Sequence, residues 1–173
     1  NGPRIRKVDT NGQMTTIAGA GTTFTEGAQA MNVKLSDGYT TPSDVAVDGA
    51  GNLYYVRYNM SATQPASNYS VCKISPSGVV TTVAGGGTVL PGDTGAIVAT
   101  TAKIGVTYAL NFNVDSAGNL YISENATSSG GANSANGFRI RKVDTNGQMT
   151  TIAGAGTAFV EGGQAMNVKL SDG

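Results

Sequence analysis

The chain has 173 residues, with 11 Lys and Arg set against 11 Asp and Glu, no His and a single Cys. Only 13% of residues are charged, and a neutral balance with a pI near 6.4 lacks the basic excess a nucleic-acid binder would carry. Without His, the commonest general base and zinc ligand are absent, one Cys closes no internal disulfide, and no apolar run is long enough to span a bilayer. There is no starting Met and no signal peptide, so a mature or excised piece is expected.

Self-similarity organises the chain. Residues 136–173 repeat residues 1–38 with only four differences: Pro3/Phe138, Thr23/Ala158, Thr25/Val160 and Ala28/Gly163. The offset is 135 residues, and a weaker copy, VCKISPSGVVTTVAGGG at 71–87, sits between the two. A second motif occurs as VAVDGAGNLYY at 45–55 and FNVDSAGNLYI at 112–122, an offset of 67, so the unit is about 67 residues long.

In chain order, five turns punctuate short β-type runs: Asp9–Gly12, Asp48–Gly51, Ser75–Gly78, Asp115–Gly118 and Asp144–Gly147. Asp or Ser opening a turn can accept a hydrogen bond from the backbone two residues on, and Gly in fourth place suits a type I turn closed by a left-handed residue. Flanking runs such as DVAVD, NLYYV, VCKI and VVTTVA, rich in Val, Ile, Tyr and Thr, predict half-buried antiparallel strands. No segment keeps a helical apolar period, although QAMNVKL at 29–35 suits a single turn. The turns are spaced 39, 27, 40 and 29 residues apart, so each unit alternates two kinds of hairpin and predicts four antiparallel strands. Such a unit has bare edges and a face to bury, and it must stack on neighbours.

The segments Pro42-Ser-Asp-Val-Ala-Val-Asp48, Gly51-Asn-Leu-Tyr-Tyr55, Arg139-Ile-Arg-Lys-Val143 and Thr150-Thr-Ile-Ala-Gly154 resemble NHL repeats, which are β-propeller blades. The resemblance covers nearly the whole chain and implies that the first hairpin of a unit supplies the inner strands of a blade and the second the outer strands. GDTGAIVATTAKI at 92–104 and EGAQAMNVKL at 26–35 are similar to the glycine-rich connectors of bacterial members. The resulting expectation is an all-β chain of four-stranded antiparallel NHL-like blades, about two and a half in number, forming an incomplete or open propeller. Its segments would be an outer hairpin with connector (1–41), a full blade with connector (42–108) and a full blade with terminal connector (109–173). Extra length falls in the connector 85–108 and in the loops 57–70 and 124–138. Enzymatic relatives in this family include a peptide-amidating lyase with His-ligated zinc, but a chain without His does not inherit that activity.

Candidate chemistry is sparse. Glu26 and Glu161 are repeat copies in connectors and read as turn or solvent residues, not as an acid/base pair. Asp48 with Asn52, and Asp115 with Asn119, fall far short of the six to eight oxygens of a calcium site. The glycine runs at 19–21 and 85–87 lack P-loop spacing. Arg4 and Arg6, like Arg139 and Arg141, would line one face of a partly exposed outer strand and blunt edge pairing, with an anionic polymer as the sharper alternative. Cys72, in the place of Arg6 and Arg141, reads as a tolerated free thiol. Asn59-Met-Ser, Asn68-Tyr-Ser and Asn125-Ala-Thr match the N-glycan acceptor pattern and are expected in polar loops outside the strands. No catalytic, cofactor or metal residues emerge. The expected function is a non-enzymatic, extracellular or cell-surface scaffold. It would associate head-to-tail by completing blades with copies of itself or flanking repeats. A glycan- or peptide-binding propeller domain is the alternative.

Overall fold

The computed structural model describes residues 2–37, 44–59, 68–90, 92–104, 111–125 and 138–170. Eleven strands follow one another: β1 (Ile5–Val8), β2 (Met14–Ala18), β3 (Val45–Val47), β4 (Leu53–Asn59), β5 (Asn68–Ile74), β6 (Val80–Gly85), β7 (Ile97–Val98), β8 (Asn111–Val114), β9 (Leu120–Asn125), β10 (Phe138–Val143) and β11 (Gln148–Ala153). They form a two-stranded sheet β1-β2, a four-stranded sheet β3-β4-β5-β6 and a five-stranded sheet β7-β11-β10-β9-β8, antiparallel throughout. None closes on itself, so the fold is all-β and open, an incomplete propeller-like stack of sheets. Among the described residues there is no α-helix, and none is long and apolar enough to cross a membrane.

The hairpins form because each turn is closed by its own first side chain. Asp9 Oδ1 accepts the N–H groups of Asn11 and Gln13 at 2.9 and 2.8 Å. Its carbonyl accepts Gly12 N–H at 3.0 Å, with Gly12 at φ 77°. Asp48, Asp115 and Asp144 make the same three bonds, ending on Gly51, Gly118 and Gly147. Ser75 closes its turn with Val79 N–H on the hydroxyl and Gly78 N–H on the carbonyl. A left-handed fourth residue favours Gly, which has no Cβ to clash.

Period-two alternation then sorts side chains onto two faces. On β4 and β5, Tyr54, Val56 and Val71 point one way, into a core shared with Phe112, Leu120, Ile122, Val143 and Met149 of the five-stranded sheet. Tyr55, Cys72 and Ile74 point the other way, into a second core with Ile5 and Ala18 of the two-stranded sheet. The central sheet is therefore sandwiched between its neighbours, and both cores form between sheets.

The segments linking the sheets reach forward onto the next one. After β2, the chain makes a 3-10 turn at Ala30–Asn32, buries Val33 and Leu35, and sets Gln29 opposite Val79 beside β6. After β6 comes the equivalent turn, Ala99–Thr101, preceded by β7, which pairs with Gln148 and Met149 of β11. Strand β7 thus lies within the 42–108 segment but hydrogen-bonds in the sheet built from 109–173, which is why that sheet has five strands. Segments 38–43, 60–67, 105–110 and 126–137, which carry part of the predicted loops and of the Pro42 motif, lie outside the described residues.

Candidate functional site

Because residues 1–38 and 136–173 are nearly identical, the structure holds one sequence in two surroundings, and the differences show which faces are covered. Val143 is 3% exposed and Met149 2%, both covered by the central sheet, whereas their copies Val8 and Met14 are 58% and 62% exposed. The same inversion marks the linking segments. Leu35 is fully buried against the central sheet, and its copy Leu170 is 38% exposed. One face of the unit is open in the first copy and the opposite face in the second.

The arginines give the open face its chemistry. On β10, Arg139 and Arg141 alternate with Ile140 and share the inward face with Val143. Each is almost wholly buried, at 0% and 2% exposure. Arg141 Nε donates to Glu124 Oε1 of β9 at 2.6 Å, and its Nη1 donates to Gly92 O at 2.7 Å and to the Thr151 hydroxyl. Arg139 forms a bidentate pair with Asp93, Nε to Oδ1 at 2.6 Å and Nη2 to Oδ2 at 3.0 Å. Two guanidinium groups are matched by two carboxylates, one from the adjacent inner strand and one from the segment preceding β7. These residues are not the exposed edge-blunting charges expected from the sequence. Buried cations of this kind need paired, hydrogen-bonded acids, and here they have them. The missed signal was the combination of Glu124 and Asp93 with a doubled Arg two residues apart. Neither acid is near the arginines in sequence.

Arg6 on β1 and Arg4 just before it are exposed. Arg6 Nη1 keeps its bond to the Thr16 hydroxyl at 3.0 Å, the counterpart of the Arg141–Thr151 contact. No strand pairs with the other edge of β1 among the described residues. In the central sheet the charges are rewritten. Cys72 replaces Arg141, Ser70 replaces Arg139, and Arg57 stands in the ladder where Glu124 stands in β9. Arg57 Nη2 reaches Asp37 Oδ2 at 3.0 Å and its guanidinium lies 3.8 Å over the Phe24 ring. Glu26 is an exposed turn residue, as expected, and it also bridges forward, accepting from Thr82 N–H at 2.7 Å and from its hydroxyl at 2.9 Å.

Cys72 is buried among Tyr55, Ser70 and Thr82, and burial pushes its thiol above the ordinary value. The acceptor-pattern asparagines do not lie outside the strands, as the sequence suggested. Asn59 ends β4 and pairs in register with Asn68, which begins β5, and Asn125 ends β9 opposite Phe138. The hairpins extend into what composition marked as loop because ladder pairing continues past the apolar residues. Ser70, the third residue of one such pattern, is 1% exposed. Among the described residues no group of three or more His, Cys, Asp or Glu is placed to hold a metal ion.

A groove of about 450 Å³ runs between the central and five-stranded sheets, past Asp48, Tyr54, Lys73, Gly118 and Asp144. Of its two acids, Asp48 is already engaged, its Oδ2 accepting from Asn52 at 2.7 Å and from the Tyr54 hydroxyl at 2.9 Å. Burial raises the pKa of Asp48, but these bonds and those from Asn52 and Ala50 N–H groups outweigh it and hold the carboxyl below its usual range. Comparison of the chain with protein-family models and with curated proteins finds no match.

Proposed function

We propose that the chain is part of a non-enzymatic repeat scaffold of NHL-like blades, working at the cell surface or outside the cell, whose units stack through two complementary faces. The open face of β1-β2 is completed by another unit, either a second copy or a flanking repeat. The single observation that supports this reading is the twin 38-residue sequence: whichever face lacks a neighbour in one copy is buried against a neighbour in the other. Covering Val8 and Met14 as Val143 and Met149 are covered removes two large apolar side chains from water, each worth about 1.5–3 kcal/mol. Backbone groups along β1 offer strand addition as well.

Sedimentation over a wide concentration range tests this. Association that grows with concentration, and that Met14→Lys weakens while β-structure is kept, is the expected result. A chain that stays monomeric at millimolar concentration overturns completion by a second copy. Binding of a glycan or peptide in the groove beside Asp48 is the second reading. The size of that groove favours it, and the internal engagement of Asp48 counts against it.

A further inference from the structure

We infer that the β1 edge takes a hairpin that carries a carboxylate opposite Arg4, as Glu124 stands opposite Arg139, and that it rejects hairpins of the Arg57 kind. This rests on the stacking reading above and adds the chemistry of the partner. The chain contains two inner hairpins, β3-β4 and β8-β9, closed by the same Asp-x-x-Gly turn. Their ladders differ in charge at one equivalent position. Glu124 sits across from Arg139 and binds Arg141, whereas Arg57 sits across from Ser70, beside Cys72. The outer hairpin β1-β2 has the sequence of β10-β11, with Arg4 and Arg6 exposed and waiting on the same face as Val8 and Met14.

A hairpin paired to the β1 edge sets its carboxylate beside Arg6, and both guanidinium groups become buried when a neighbouring sheet also covers the face, as the central sheet covers Val143 and Met149. A buried cation left without its acid is strongly unfavourable, and a second cation brought against it is worse. The acid therefore acts as a register and identity check alongside the apolar contacts. Units alternate in kind as a result, and the functional period of the stack is the 135-residue offset, two sheets long.

The test extends the full chain with residues 111–135 placed immediately before Asn1, which recreates the sequence that leads into β10. Amide exchange is then read at Arg6, Lys7 and Val8, with β4 and β10 amides as the control for an intact fold. The inference expects exchange there to slow about tenfold or more, as it does when an edge strand gains a partner. Glu124→Arg in the added hairpin should abolish the slowing, and adding Arg4→Glu with Arg6→Glu should restore it. Equal slowing with Glu and with Arg overturns the acid requirement and leaves blade completion standing. No slowing with any hairpin overturns blade completion itself, and the inference with it.

Discussion

Glu124 and Arg141 meet on adjacent strands, Oε1 to Nε at 2.6 Å, with both side chains almost wholly out of water. Their value is conditional: the pair costs much to desolvate, and breaking it costs more, because the survivor stays buried. Arg141→Ala should therefore destabilise the chain by about 3–5 kcal/mol in urea unfolding. The same change at its exposed copy, Arg6→Ala, should stay within about 0.5 kcal/mol. Equal effects at the two positions would contradict the difference in burial.

A steric prediction concerns the glycines that follow the outer strands. A Cβ on Gly87 would lie 2.0 Å from Thr101 O, in the 3-10 turn that folds back on it, and Gly21 and Gly156 face Asn32 O and Asn167 O in the same way. Gly87→Ala must push that turn off its seat, which should cost about 1–3 kcal/mol. Gly12 has open space around its Cβ position but a φ of 77°, so Gly12→Ala should cost about 1 kcal/mol, from backbone strain alone. Thermal melts of the two variants give the ranking.

Asp48 sets an acid limit. Its carboxyl is held below the ordinary value of 3.8, so the folded state binds its proton less readily than the unfolded chain. The stability it contributes is fully present above pH 3.8 and is lost as pH falls below that value towards the folded pKa. Asp48→Asn, which keeps the turn acceptor and removes the charge, should lower stability by about 1 kcal/mol at pH 7 and by less at pH 3. Urea midpoints at the two pH values measure the difference. A larger loss at the lower pH would refute the assignment.

Cys72 should be inert in the native chain. Its thiol is fully buried, and burial raises its pKa, so little thiolate is present near neutrality. Iodoacetamide at pH 8 should label it only as fast as the central sheet opens, and labelling in 6 M guanidinium should be faster by about a hundredfold or more. Comparable rates in both conditions would mean that the thiol is reachable in the fold.

Local features were legible in the sequence and distant ones were not. Asp9 and Gly12 announce their turn because every bond involved lies within four residues. Alternation in NLYYV and VCKI marks strands for the same reason. Ile97 and Val98 give no such signal: two residues make β7, and their partners, Met149 and Gln148, lie some fifty positions on. Arg139 and Arg141 looked like surface charges because the acids that hold them, Asp93 and Glu124, come from a linking segment and another hairpin. The strand ends at Asn59, Asn68 and Asn125 were hidden by polar composition, which describes solvent contact and not ladder pairing.

Strand β7 also has a mechanical side. The segment that carries it folds back on itself through Gly87 and Val89 N–H groups on Ala102 and Thr101 carbonyls, is bridged to β5 where Ile104 lies opposite Tyr69, and is tied forward through Ala99 N–H on Gly147 O. It is a clasp as well as a tether. Tension applied along the polypeptide pulls on these bonds before any slack between the two sheets is released.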